Sequence, residues 1–472
     1  MKKIYLLSLL VLWISLSFAQ EKYSIKVKID GFKDTTAFMS YFYGKGQYYK
    51  DTASIDSKGF AHFSKKDTLE EGMYSILIGS NKIFDFLVDD QELSFTTSKS
   101  APIQDMKTKG GQENIYFYEY LKFLNAKQKV ASELKETKEK SEPGSEAYKN
   151  ATKSIDELDE EVKVFLNDFS KKHKGSFTVT FLNALQAPEV PEPPLLENGA
   201  KDSLFAFRYF KEHFFDGFDF TDDRLIRTAA FYEKISYYMD KLNVQVPDTI
   251  IKACDFLLSK MANSPEMFKY TLNNFTSKYE KSELMGMDAA FVHLGKNYYM
   301  KGKAPWMTDK QMKKLSERVK ALDPLLIGKK APNLIVRDTA QKKMLQLYDI
   351  EAKYTIVYIW SPDCGHCKEA TPKLKKLYDK VKSRGVEVFG VGNDFENEHW
   401  IDFINKHDLN WINGSDGGDF RSNFRDTWDV YSTPQTYLLD ENKVILSKKM
   451  DIPSLENLLE YFFKQDEKEK NE

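Results

Sequence analysis

The stretch that decides the fold of the carboxy-terminal region is Tyr354-Thr-Ile-Val-Tyr-Ile-Trp360, followed at once by Ser361-Pro-Asp-Cys-Gly-His-Cys367. The first segment is β-branched and aromatic, which is typical of a buried strand. Residues 368–382 are mostly helix formers, and Leu374 and Leu377 lie on one predicted face. The two cysteines therefore lie where a predicted strand passes into a predicted helix.

A Cys-x-x-Cys pair at the start of a helix is suited to thiol-disulfide exchange. The unpaired N–H groups and the dipole of a helix N-terminus stabilise a thiolate, so we expect the pKa of Cys364 to lie below the free-thiol value of roughly 8.5. Cys364 would attack a disulfide, and Cys367, one turn later, would resolve the mixed disulfide by closing an internal bond. Gly365 keeps the turn unobstructed, and His366, when protonated, adds a positive charge beside the thiolate.

Three other interpretations of the cysteine pair compete with this one. Half of a structural zinc site is disfavoured, because Cys254 is the only other cysteine and no histidine pair follows at a suitable spacing. A c-type haem attachment needs a histidine where this chain has Lys368. A purely structural disulfide would close a very short loop and restrict the unfolded chain little. We expect no metal, and no cofactor other than the redox-active disulfide Cys364-Cys367.

Length and charge limit the remaining possibilities. A chain of 472 residues is too long for one compact core and predicts about three domains. It carries 69 basic and 71 acidic residues, a net charge of -2. This balance gives no electrostatic reason to expect nucleic acid or an anionic membrane as a partner.

The amino terminus has the three-part pattern of a secretory signal. Lys2 and Lys3 precede an apolar run, and Ser17-Phe-Ala19 provides small residues for cleavage. We expect residues 1–19 to be a signal peptide and the mature protein to be periplasmic, without stable membrane insertion. An exported protein with three cysteines cannot form a disulfide framework, so the pair is expected to be reactive. Cys254 shares a helical stripe with apolar residues and is expected to be buried and inert.

The pattern along the chain predicts a multidomain protein. Residues 20–110 alternate as in an antiparallel β domain, either a sandwich or barrel-like. Residues 111–325 are predicted to be all-α, with an αα-hairpin that breaks at Pro143-Gly144. Residues 326–472 alternate strands and helices in the α/β manner. Their predicted strands and helices are 334–336, 355–360, 367–382, 386–391, 397–407, 420–427, 436–439 and 444–446, and residues 465–472 are expected to be a disordered end.

The α/β region resembles the thioredoxin-fold TlpA/ResA-like thiol-disulfide oxidoreductases of bacterial envelopes. The resemblance rests on the strand-dithiol-helix arrangement, on Pro372 five residues after Cys367, and on Tyr431-Ser-Thr-Pro-Gln435 before a strand. It implies a thioredoxin fold and a cis bond before Pro434. It also implies that Thr433 and Pro434 form a wall on which a substrate polypeptide docks. The β and helical regions resemble modules that precede such domains in Bacteroidetes-type envelope proteins.

The sequence departs from that family at positions that tune the thiols. Asp363 replaces the common aromatic residue before the first cysteine, and its charge should oppose ionisation of Cys364. Tyr358 stands where many thioredoxins have a buried aspartate. The glutamate expected two residues before the helix proline is Ala370 here, with Glu369 one position away as a weaker candidate for proton relay.

The sequence thus predicts an exported enzyme that exchanges disulfides with envelope proteins and is served by an electron-donor partner. The resemblance favours a reductase or isomerase over an oxidase, although Cys-Gly-His-Cys is also the tetrapeptide of the more oxidising protein disulfide isomerases. Two alternatives stay open. A peroxiredoxin would need proline at Val357, and a binding or scaffold protein would use the thioredoxin-like region only for docking.

Overall fold

The structure is a computed structural model that describes residues 22–393, 397–416 and 422–469. Two compact units divide the chain: one contains the residues up to Leu242 together with Asn263–Met267, and the other contains Asn243–Ala262 and the residues from Phe268 onward. The division falls inside the predicted helical region, so each unit combines helices with β-sheet. The predicted signal peptide lies outside the described residues.

The described part of the first unit begins with eight strands in two sheets. These strands are β1 (Tyr23–Asp30), β2 (Thr35–Tyr43), β3 (Gly46–Ile55), β4 (Phe60–Lys65), β5 (Gly72–Ile78), β6 (Asn81–Val88), β7 (Glu92–Ser98) and β8 (Lys107–Lys109). The sheet orders are β4-β1-β7-β8 and β3-β2-β5-β6. Phe86 of one sheet packs on Phe95 of the other with ring centroids 4.9 Å apart. The β domain is therefore a sandwich, one of the two predicted forms.

One strand pair departs from the antiparallel prediction. Strand β7 pairs with β1 in parallel, whereas β4 pairs with the other edge of β1 in the antiparallel direction. Hairpins alone would give antiparallel neighbours, but strands β5 and β6, which belong to the second sheet, separate β4 from β7. After β5 and β6 the chain returns to the end of the first sheet at which β1 begins, so β7 runs in the same direction as β1.

Helices follow the sandwich in the first unit. They are α1 (Glu113–Lys140), α2 (Glu146–Lys172), α3 (Phe177–Leu185), α4 (Phe205–Glu212) and α5 (Ala229–Lys241). The predicted αα-hairpin is confirmed. Gly144 has φ +86° in the connection, a conformation that glycine adopts without a Cβ penalty. Ser145 then caps α2 by accepting a hydrogen bond from the Tyr148 N–H.

The second unit contains the remaining helices of the helical region. They are α6 (Pro247–Lys260), α7 (Pro265–Glu280, its first residues in the other unit), α8 (Asp288–Leu294) and α9 (Asp309–Leu322). Cys254 is fully buried in α6, and burial raises the pKa of its thiol far above the ordinary value. The prediction of a buried thiol is confirmed.

The α/β part of the second unit is built on one sheet of order β10-β9-β13-β12-β11-β14-β15. Its strands are β9 (Ile335–Asp338), β10 (Met344–Gln346), β11 (Tyr354–Trp360), β12 (Val386–Gly392), β13 (Ile412–Ser415), β14 (Gln435–Leu439) and β15 (Ile445–Lys448). Its helices are α10 (Gly365–Val381), α11 (Asn397–Lys406), α12 (Phe424–Thr427) and α13 (Ile452–Glu469). The predicted fold class is confirmed: a β domain, a helical region and a thioredoxin-like α/β domain.

Strand β11 lies at the centre of this sheet. Every one of its residues is buried, and successive side chains enter different cores. Ile356, Tyr358 and Trp360 pack against α10, α11 and α13, whereas Val357 and Ile359 pack on the opposite face. A strand covered on both faces explains the continuous apolar run in the sequence.

Three features of the α/β domain differ from the sequence prediction or were absent from it. Strands β10 and β13 were not predicted, because β10 has only three residues and β13 contains Asn413 and Gly414, residue types that strands disfavour. The prediction that residues 465–472 form a disordered end is wrong for the residues up to Glu469, because α13 extends to that residue. Leu455 and Leu459 bury one face of α13, and Asp466 pairs with Lys353 at 2.7 Å. The last three residues, and Phe420 and Arg421 of the predicted helix 420–427, lie outside the described residues.

Candidate active site

The cysteine pair lies in the turn between β11 and α10, as the sequence predicts. Cys364 is the N-cap residue of α10, and no side chain caps this helix end. The turn is fixed by the Cys364 N–H, which donates to the Ser361 carbonyl at 3.3 Å, and by the Asp363 N–H, which donates to Ser361 Oγ at 3.2 Å. The first N–H groups of α10 therefore point toward the Cys364 sulfur.

Cys364 is half-buried, and its pKa lies below the ordinary value. Burial acts to raise this pKa, but the combined hydrogen bonds outweigh burial. These bonds come from the Thr433 side chain, from the N–H groups of Cys367 and His366, and from the Cys367 thiol. They stabilise the thiolate more than the thiol. The expected direction is confirmed, despite the neighbouring charge of Asp363.

Cys367 behaves differently because it is fully buried. Burial, together with the neighbouring Cys364 thiol, raises the pKa of Cys367 to about 12. Its carbonyl accepts from Thr371 Oγ1 at 2.8 Å, and the Thr371 hydroxyl also bonds the Tyr358 hydroxyl at 2.9 Å. Tyr358 thus fills the place of the family's buried acid with a neutral hydroxyl, and burial raises the pKa of Tyr358 above its ordinary value.

The Thr433-Pro434 segment lies against the first cysteine. The bond between these residues is cis, as the resemblance implies. The Cys364 thiol donates to the Thr433 carbonyl at 3.1 Å. This contact belongs to the protonated thiol, because a thiolate has no hydrogen to donate. When Cys364 ionises, it therefore loses its hydrogen bond to the Thr433 carbonyl, and its sulfur can contact a substrate sulfur instead.

The other predicted site residues surround the pair on the exposed side. Asp363, Gly365, His366 and Glu369 are all exposed. Apart from its chain neighbours and its own helix, a Cβ added at Gly365 would meet no atom within 4 Å, so no close contact in the structure requires glycine at this position. Glu369 follows buried Cys367 by two residues, which places it on the opposite side of the helix. The structure does not bring the Glu369 carboxylate to the second thiol.

A second group of residues near the site was not predicted. Arg318 of α9 forms an ion pair with buried Asp429, and its guanidinium carbon lies 4.9 Å from the centroid of the Tyr431 ring. The Asp429 carbonyl accepts from Gln435 Nε2 at 2.9 Å. These contacts hold the segment that leads into Thr433-Pro434. Tyr431 was the only sequence signal, since it belongs to the motif before the strand.

The described ranges contain neither a cluster of metal-ligating side chains nor a membrane-spanning helix. No three histidine, cysteine or carboxylate side chains among residues 22–393, 397–416 and 422–469 converge on a metal-sized site. In the same part of the chain, no helix combines the length and the apolar character that a membrane span requires.

Comparison with known families agrees with this geometry. Residues 327–448 match the AhpC/TSA family. Residues 133–323 match a domain of unknown function, DUF5106. The first match covers the sheet, the cysteine pair and the cis bond, and the second covers most of the helical region.

Individual relatives match the same carboxy-terminal region. The thiol-disulfide oxidoreductase ResA of Bacillus cereus is 28% identical over 142 residues, 30% of this chain and 80% of ResA. The thiol:disulfide interchange protein DsbE of Pseudomonas aeruginosa is 28% identical over 133 residues, 27% of this chain and 68% of DsbE. A crystal structure of a domain of a possible thiol-disulfide isomerase from Cytophaga hutchinsonii is 38% identical, with a TM-score of 0.29, over 31% of this chain and 98% of that domain.

Proposed function

We propose that the Cys364-Cys367 pair is the catalytic dithiol of the carboxy-terminal domain, which is similar to the thiol-disulfide oxidoreductase ResA and the interchange protein DsbE. One observation carries this proposal: two thiols one turn apart have opposite environments. Cys364 is accessible and its pKa is lowered, whereas Cys367 is buried and its pKa is raised. A nucleophile and a resolving thiol need this difference.

The first step is attack by the Cys364 thiolate on a substrate disulfide. The substrate S–S bond breaks, a Cys364-substrate bond forms, and the departing thiolate takes up a proton. The N–H groups that hold the Cys364 sulfur stabilise its charge before attack. Thr433 and Pro434 are proposed to form the wall on which the substrate backbone lies, because the Thr433 carbonyl already touches this sulfur.

The second step is resolution by Cys367. Its thiol loses a proton and attacks the Cys364 sulfur, which releases the second substrate thiol and closes the internal disulfide. In the mixed disulfide Cys364 carries no negative charge, so the contribution of this thiol to the raised pKa of Cys367 is removed. Asp363, Gly365 and His366 modulate the pair from the exposed side. Glu369 is placed too far round the helix to exchange a proton directly with Cys367.

We propose net reductase or isomerase activity rather than oxidase activity. The similarity of the carboxy-terminal domain to the thiol-disulfide oxidoreductase ResA supports this direction. A reductase must be re-reduced, so a dithiol electron donor that supplies two electrons is part of this proposal. The signal-like amino terminus supports a periplasmic location, and envelope proteins are the proposed substrates.

The test is reduction of insulin disulfides by the reduced protein, with dithiothreitol as the electron donor. Replacing Cys364 with alanine should lower turnover by about a thousandfold or more, because the nucleophile is removed. Cys254→Ala serves as the matched control and should keep wild-type turnover. Comparable turnover in the Cys364→Ala variant would instead favour the binding or scaffold interpretation.

A further inference from the structure

A large cleft in the second unit is lined in part by the segment that leads to Thr433-Pro434. Its volume is about 1080 Å³. Helices α7, α8 and α9 line one side of this cleft, and the segment Arg425–Tyr431 lines the other. The helical region that precedes the α/β domain therefore contributes directly to a surface near the redox site.

A short stretch of chain links the cleft to the wall proposed for substrate docking. Tyr431 lies at the cleft and precedes Thr433 by two residues, a separation of at most about 7 Å along the chain. Tyr431 is 82% exposed, although it is a large aromatic side chain. One side of its ring is covered by Arg318, which leaves the remaining surface available for contact.

Ion pairs fix the segment that forms this side of the cleft. Arg318 binds Asp429, and Arg425 binds buried Asp416 at 2.5 Å and the Asn393 carbonyl at 2.8 Å. Both arginine charges are thus neutralised by carboxylates. A surface that is already ordered loses little conformational entropy when a polypeptide binds to it.

The lining has an apolar floor and an acidic rim. Leu315 and Val430 are partly exposed and supply apolar surface, and buried Phe291 also lines the cleft. Glu317 and Asp426 are exposed carboxylates of the lining. Glu280 lies 3.8 Å from Arg318, and Glu317 lies 4.0 Å from Lys313. The lining still has four carboxylates against three cations, so the rim favours positive charge.

We propose that this cleft receives the extended segment of a substrate polypeptide next to its reactive cysteine. An apolar or aromatic side chain of that segment packs against Tyr431 and Leu315, and a basic side chain lies at Glu317 and Asp426. The proposal rests on the proposed function and names its substrate class: disulfides flanked by basic and apolar residues. Helix α9 thereby takes part in substrate selection.

The first test compares two substrates in the full-length protein. Kinetics of Tyr431→Ala are measured with insulin and with hydroxyethyl disulfide, which is too small to reach the cleft from the sulfur. The ratio of kcat/KM for insulin to that for the small disulfide should fall about tenfold, as for a central aromatic contact. Tyr461→Ala removes another exposed tyrosine, on α13, and should leave the ratio unchanged.

The second test addresses charge. Two disulfide-bridged peptides of equal length carry either lysine or glutamate beside the cysteine. The wild-type protein should favour the lysine peptide, and Glu317→Lys should reduce that preference at least about threefold, with a smaller effect at high salt. Glu467→Lys makes the same charge change on α13, and its preference should match that of the wild type.

The outcomes separate the two proposals. If the wild-type protein reduces neither insulin nor hydroxyethyl disulfide, the proposed function fails. If it reduces both, and neither Tyr431→Ala nor Glu317→Lys changes the substrate ratios, the cleft proposal is overturned. If the ratios are unchanged and these variants also alter the sedimentation mass, a second copy of the chain occupies the cleft instead.

Discussion

The second unit carries cysteines in two helices, and the comparison between them shows what makes a thiol reactive. Cys254 lies in the middle of α6, where the backbone N–H groups bond within the helix. Cys364 is the N-cap residue of α10, where N–H groups are available to its sulfur. Burial raises the pKa of Cys254, and the hydrogen bonds outweigh burial at Cys364. Since both residues are cysteines, their positions relative to the helix set the difference in pKa.

Alkylation should show the largest contrast between these helices. In the reduced native protein, iodoacetamide should modify Cys364 at least about a thousandfold faster than Cys254, because Cys254 reacts only when its helix opens. The measurement is peptide mass spectrometry after timed quenching. Similar alkylation rates at Cys364 and Cys254 would contradict the difference in reactivity between the two cysteines.

Local sequence carried enough information to predict the reactive helix and the inert one. The run from Tyr354 to Trp360 needed burial on both faces, and the cysteine spacing marked the start of α10. The apolar stripe around Cys254 likewise predicted its burial, because one helix face must enter the core. Those patterns lie within single elements, where the period of side chains is visible in the sequence.

Contacts between distant segments could not be predicted in this way. Arg318 and Asp429 are separated by 111 positions, and only the packing of α9 on the α/β domain brings them together. The parallel pairing of β1 with β7 depends on the passage of the chain through β5 and β6 of the second sheet. The bond between Tyr358 and Thr371 joins a strand to a helix. Each depends on tertiary packing, which periodicity does not specify.

The pH dependence of alkylation sharpens the contrast at Cys364. Because folding lowers the pKa of Cys364, its thiolate fraction at pH 7 is higher in the folded protein than in the urea-unfolded chain. Alkylation of Cys364 at pH 7 should therefore be about three- to tenfold faster when folded. The advantage should vanish above about pH 9, where both forms are ionised. Slower alkylation of Cys364 in the folded protein at pH 7 would contradict a lowering of its pKa on folding.

Stability should show the smallest difference. Cys254→Ala removes a fully buried sulfur and should lower the free energy of unfolding by about 1–2 kcal/mol. Cys364→Ala, at a half-buried position, should change it by less than about 0.5 kcal/mol. Urea unfolding followed by tryptophan fluorescence compares the two variants. Equal losses in the free energy of unfolding would mean that the side chains of Cys254 and Cys364 contribute equally to stability.

The central claim is that Cys364 attacks and Cys367 resolves, and trapping of the intermediate tests it most directly. The Cys367→Ala variant is mixed with a disulfide-bridged peptide, quenched with acid and examined by intact-mass and peptide mass spectrometry. We predict a stable adduct of one peptide strand on Cys364, with no such adduct accumulating in the wild-type protein. An adduct on Cys254, or none at Cys364 under conditions in which the wild-type protein reduces the peptide, would contradict the claim.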